Sequence, residues 1–182
     1  VTYYRVPSEK MIEGWRNRTP ERFRIAAKFP KEIVHGGKDR FPDPESVLLP
    51  EKVGDTAQVF LERMALLGDR CGPLVIQMPY YNKKVFPEPD IFFHRLEIFL
   101  DWLPDGFPYA VEIRNRQFLG PRLGEILRSA EIPLVLVDIP YMPWPGKWGN
   151  VEHILTGNFI YLRLIGDRKA VEAQTKSFDR VV

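Results

Sequence analysis

PYAVEIRN, residues 108–115, is an apolar run with a glutamate and an arginine set into its carboxyl end. In an extended chain, successive side chains point to opposite faces. Ala110, Glu112 and Arg114 then share one face, and Val111 with Ile113 the other. A charge inside a stretch fit for burial is costly unless it is paired or used. Four further runs repeat the arrangement: RIAAKFP (24–30) with Lys28, LVIQMP (74–79) with Gln77, LVLVDIP (134–140) with Asp138, and FIYLRLIG (159–166) with Arg163. A polar residue near the carboxyl end of each of several strands, with helix-like segments between them, is the pattern of a parallel (β/α) barrel with its site at the carboxyl-end rim.

The intervening sequence supports this α/β reading. Residues 1–6 read as the end of a strand stopped by Pro7, and Ser8 can cap a short helix carrying Met11, Ile12 and Trp15. A strand over Phe23–Phe29 is followed by a Gly- and Pro-rich loop from Pro30 to about Pro50, long for a plain connection. A helix over about Glu51–Leu67 ends at Gly68, and a strand over Gly72–Pro79 leads into a loop holding Tyr80, Tyr81, Lys83 and Lys84. Asp90 can cap a helix with Phe92, Leu96, Phe99 and Leu103 inward. A strand Pro108–Asn115, a helix opened by Pro121, a strand Pro133–Ile139, a loop Pro140–Asn150 and a strand Phe159–Ile165 complete the order. Connections of this length suit parallel crossovers, and near-continuous apolar strands suit a sheet covered on both faces.

At 182 residues and 45% hydrophobic content, the chain supports one substantial core, read as a single partial barrel domain over residues 1–182. Five strands and an opening stub fall short of eight, and a typical barrel takes about 250 residues. An incomplete barrel is therefore expected, with material missing at both ends. A net charge of +2 does not call for a nucleic-acid or membrane partner. The lone Cys71 cannot form an internal disulfide, and with no signal peptide or run of about 18 apolar residues a cytoplasmic setting is expected.

The combination AAKFPKEIVH, GPLVIQMPYY, YAVEIRN, VLVDIP and YLRLIG, in that order, resembles the domain of unknown function 72 family, the YecE-like proteins. The opening TYYRVPSEKMIEGWRNRTPERFRIAAKFP resembles that family's second strand and following helix. The resemblance covers most of residues 2–166 and implies a TIM-like barrel lacking its first strand and its C-terminal part, without implying a reaction. It also implies a histidine at the place of His35. Two positions depart from the family's pattern: Ile165 precedes Gly166 where a histidine is common, and Gln117 with Phe118 stand where a tryptophan often follows the Glu–Arg strand.

Glu112 can serve as a general base, with Asp138 or His35 as a second proton carrier. Lys28, Arg114 and Arg163 can hold a carboxylate or phosphate, with Gln77 supplying an orienting hydrogen bond. An internal salt-bridge network that closes the barrel explains the same residues equally well. His94 and His153 read as structural or exposed. No metal or cofactor is expected, since the lysine and arginines would oppose a cation. Phosphate-loop, dinucleotide-fingerprint and serine-hydrolase motifs are absent from the sequence. The function expected is general acid–base chemistry on a small anionic, phosphorylated or acidic sugar-like molecule. The rival is a non-catalytic nucleotide or nucleic-acid module, using Lys83 and Lys84 beside Tyr80 and Tyr81; the loop aromatics Tyr80, Tyr81, Trp144 and Trp148 suit stacking on a sugar or base, and packing onto the barrel rim explains them as well.

Overall fold

The computed structural model describes residues 2–147, 154–167 and 172–173. α1 (Glu9–Arg18) leads to β1 (Ile25–Lys28), α2 (Lys31–His35), α3 (Pro50–Ala65), β2 (Cys71–Gln77), α4 (Pro89–Trp102), β3 (Tyr109–Glu112), α5 (Pro121–Ser129), β4 (Leu136–Asp138) and β5 (Leu162–Leu164). Helices separate successive strands from β1 to β4. All strand pairs are parallel. β1, β2 and β3 form one sheet in that order, and β4 pairs with β5 in a second. An isolated parallel bridge between Val111 and Leu134 joins the sheets. Between those strands, Leu134 donates its backbone N–H to the buried Thr156 hydroxyl, so β4 takes up its ladder with β5 only from Leu136. The molecule is thus a parallel α/β structure. No closed barrel is formed among the described residues.

The two sheet faces bury different sets, as the alternation requires. Ala27, Leu74, Ile76, Val111, Ile113 and Leu134 pack under the helices against Phe60, Phe92, Phe99 and Phe118. Phe29 meets Phe60 with ring centroids 4.9 Å apart, and Phe92 stacks on Phe118 at 4.1 Å. On the other face, Val75, Ala110 and Val135 form a small cluster flanked by Phe159 and Tyr161. That second face carries the polar strand ends.

Local chemistry sets the helix boundaries. Ser8 accepts a hydrogen bond from the Met11 N–H and starts α1. α4 begins one turn position earlier than expected: Glu88 occupies the cap position without a side-chain bond, Pro89 takes the first helical place, and Asp90 is left free to pair with Arg122. Residues 2–5 form turns instead of the expected strand. The segment is tied by separate bonds, the Thr2 hydroxyl accepting from Lys28 N–H at 3.0 Å and the Tyr3 carbonyl from Lys31 N–H at 2.6 Å, so no ladder develops. The long connection after β1 is also more ordered than a loop. It opens with α2, which stops at Gly36, where φ is +74° and a Cβ would lie 2.4 Å from the Val47 backbone nitrogen. Only glycine fits there. No helix among the described residues is long and apolar enough to cross a membrane.

Candidate functional site

The parallel register brings the carboxyl ends of separate strands level with one another. Gln77 is opposite Glu112, Lys28 is opposite Val75, and Arg163 is opposite Val137. Side chains in register on parallel neighbours point the same way. Lys28 therefore shares the face of Val75 and Ala110, and Glu112 stands one pleat above Ala110 on that face.

Glu112 is fully buried and is the centre of the cluster. Arg114 donates from Nε to its Oε1 at 2.7 Å, and Arg163 donates from Nη1 to its Oε2. The same Arg163 nitrogen reaches Gln77 Oε1 at 3.1 Å. Both carboxylate oxygens thus carry a guanidinium, which resolves the cost of burying the charge. Arg114 also donates from Nη1 to the Tyr141 hydroxyl at 2.5 Å. Burial works against the Arg114 charge, but Glu112 and the Tyr141 hydroxyl outweigh it and hold the guanidinium above its ordinary range. Lys28 joins electrostatically. Its pKa is lowered by burial first and then by Arg163, with Glu112 opposing and Arg114 adding to the lowering. Three cations gather around one carboxylate.

His35 is placed differently. It ends α2, is buried, and its Nε2 lies 3.2 Å from the Tyr3 hydroxyl. Nδ1 is buried with no hydrogen-bond partner of normal geometry. Burial, and then the charge of Lys31, push the imidazole down to about 4, with the Arg40 backbone opposing weakly, so the ring is neutral near pH 7. Tyr3 connects His35 to the cluster: its hydroxyl pKa is raised by burial and by Tyr4, while Arg114 acts to lower it. Asp138 is not brought to the cluster. It is in register with Leu164, one residue on from the Val137–Arg163 pair, and so stands on the opposite face of the sheet.

The loop aromatics separate into two kinds. Tyr80 and Trp144 are exposed, whereas Tyr81 is buried in the core, donating its hydroxyl to the Val34 carbonyl at 2.7 Å. Its backbone is clamped by buried Asn115, which accepts from Tyr81 N–H and donates to the Tyr81 carbonyl, both at 2.8 Å. Tyr81 has no free face for stacking. His94 is exposed on α4, and Trp148 and His153 lie outside the described residues. Among the described residues no three His, Cys, Asp or Glu side chains group as a metal site would require.

Two neighbours of the cluster, Tyr141 and Tyr3, are not among the residues that the strand pattern singles out. Tyr141 follows Asp138 by three residues, a polar group in the turn just beyond the strand end. Tyr3 lies within residues 1–6, whose pattern predicts a strand and no polar site.

The family model for "Protein of unknown function DUF72" matches residues 1–181. The chain is 33% identical over 119 residues to UPF0759 protein YecE of Escherichia coli strain K12, an alignment that takes in 65% of this chain and 37% of that protein. YecE of Escherichia coli O157:H7 matches to the same extent. The chain therefore spans little more than a third of the curated relatives it matches. Among solved structures, a DUF72 family protein from Enterococcus faecalis V583 superposes with a TM-score of 0.65 at 22% identity, covering 93% of this chain and 59% of that one. One from Thermotoga maritima MSB8 gives a TM-score of 0.53 at 20% identity, over 92% and 58%. These likenesses concern the fold. With the family model matching almost end to end, the chain belongs to the DUF72 family.

Proposed function

We propose that this chain is a partial TIM-like barrel, a single domain, and that the carboxyl-end rim of its strands holds a small anionic molecule, phosphorylated or acidic and sugar-like, for general acid–base chemistry. The barrel reading is supported by the spatial order of the strands, which follows the chain and is parallel throughout. The observation that carries the ligand reading is the charge balance at Glu112. Among the described residues, the contacts of one buried carboxylate are with Arg114 and Arg163, with Lys28 coupled to it electrostatically, so these groups together carry two positive charges in excess. A network serving stability alone is better off balanced, since each surplus buried charge costs free energy. An incoming carboxylate or phosphate supplies the missing negative charge, and guanidinium forks suit its geometry.

In this reading Glu112 aligns both arginines. When the anion draws Arg163 outward, Oε2 is released and Glu112 becomes the base. Neutral His35, acting through the Tyr3 hydroxyl, is the second proton carrier.

Calorimetric titration with inorganic phosphate at low ionic strength tests the binding part. Saturable binding is expected, weakened about tenfold or more in Arg163→Ala. Absence of binding, or equal binding by the variant, overturns it. For the chemistry, phosphorylated and carboxylated sugars are incubated with the protein and products sought by mass spectrometry. Turnover that survives unchanged in Glu112→Gln removes Glu112 from the base role.

A further inference from the structure

Arg114 is held at two points. Its Nε is fixed on Glu112 at 2.7 Å and its Nη1 on the Tyr141 hydroxyl at 2.5 Å, while Arg114 itself is largely buried. Tyr141 is the exposed partner in this arrangement, with 59% of its surface open to solvent. A phenol accepts and donates at once, so the bond from Arg114 takes an acceptor position and leaves the O–H to donate. The charged donor also fixes where that O–H can go. A tyrosine with two side-chain torsions, pinned at its oxygen, loses little further freedom when something binds beside it. Its ring remains an open apolar surface next to a cationic cluster.

We infer that Tyr141 is a ligand-contacting residue of the Lys28–Arg114–Arg163 site, donating its hydroxyl to the bound anion and offering its ring to the remainder of the molecule. The ligand class follows: an anionic group, phosphate or carboxylate, attached to a ring that can stack. The inference rests on the anion-site reading above and narrows it, because a bare anion uses only the hydroxyl and a ring-bearing anion uses both parts of the side chain.

Three probes separate these contributions: inorganic phosphate, methyl phosphate and phenyl phosphate, each titrated at low ionic strength into the unaltered chain, Tyr141→Phe and Tyr141→Leu. The unaltered chain is expected to bind phenyl phosphate about fivefold more tightly than methyl phosphate. Tyr141→Phe is expected to lose about tenfold in affinity for inorganic phosphate while keeping the preference for phenyl over methyl phosphate. Tyr141→Leu is expected to lose both. Thermal midpoints of the two variants should stay within about 5 °C of the unaltered chain, since the residue is exposed and only its bond to Arg114 is lost. Phosphate affinity that is equal or higher in Tyr141→Phe overturns the inference and leaves the anion site standing, with the tyrosine a bystander or a placeholder. A phenyl preference that persists in Tyr141→Leu overturns the stacking role. No phosphate binding by the unaltered chain overturns the anion site and this inference together.

Discussion

Glu112 and Arg163 are 51 residues apart in the chain, yet the guanidinium of one rests on the carboxylate of the other across the carboxyl ends of β3 and β5. Neither residue is stable there alone. Glu112 is wholly out of water, and Arg163 is about one-fifth exposed. Because the second guanidinium comes from Arg114, Glu112 is the common partner whose loss leaves two partly buried cations facing one another.

Replacement of Glu112 by Ala should therefore cost about 3 kcal/mol of stability, the range for removing one member of a buried ion pair. The double variant Glu112→Ala/Arg163→Ala should be less destabilised than the sum of the singles, with a coupling of about 1–2 kcal/mol. Urea denaturation of the four proteins measures this. Strict additivity would mean that the two side chains do not sense each other.

His35 makes stability depend on pH in one direction. Its imidazole has a pKa of about 4 when folded and an ordinary value near 6.5 when unfolded. Above pH 6.5 both states are neutral there and the residue is without effect. As pH falls from 6.5 to 4, the unfolded chain takes up a proton that the folded chain refuses, and stability drops by up to about 3 kcal/mol. His35→Gln should flatten that part of the pH profile in denaturant titrations, and an imidazole resonance titrating near 6.5 in the folded protein would contradict the burial argument.

Asn115 holds the start of the loop after β2 through paired bonds to the Tyr81 backbone. Asn115→Ala strands a buried N–H and a buried carbonyl and should lower stability by about 2–4 kcal/mol. Amide exchange at Tyr81 should rise in that variant. An unchanged protection factor would show that the clamp does not hold the loop.

Cys71 opens β2 with its thiol pushed up to about 11 by burial. At pH 8 only about one part in a thousand is thiolate, so reaction with a disulfide reagent such as DTNB should be slow in the folded protein and rapid in urea. Equal rates in both conditions would show that the thiol is not shielded as described.

The strand ends were legible in the sequence because a strand's pattern is local. Lys28, Gln77, Glu112 and Arg163 each break an apolar run, and period two alone assigns Glu112 to the face opposite Val111 and Ile113. Boundaries moved where single bonds outweigh propensity. Thr2 and Tyr3 are captured by isolated backbone partners, and the span after β1 folds into α2 because Gly36 can adopt φ +74° against Val47.

The amino-acid sequence by itself determined the alternation of parallel strands with helices, the family, and the polar residues that end the strands, since periodicity, breakers and composition act over a few neighbouring residues. Tertiary structure alone decided which of those residues meet. Asp138 and Arg163 look equivalent in sequence, but the register sets Arg163 beside Val137 and Asp138 beside Leu164, and a shift of one residue reverses the face. Tyr81 and Tyr141 are likewise both loop tyrosines. One is buried by contacts with Val34 and Asn115, and the other is lifted to the surface on Arg114, a distinction made by partners dozens of residues away.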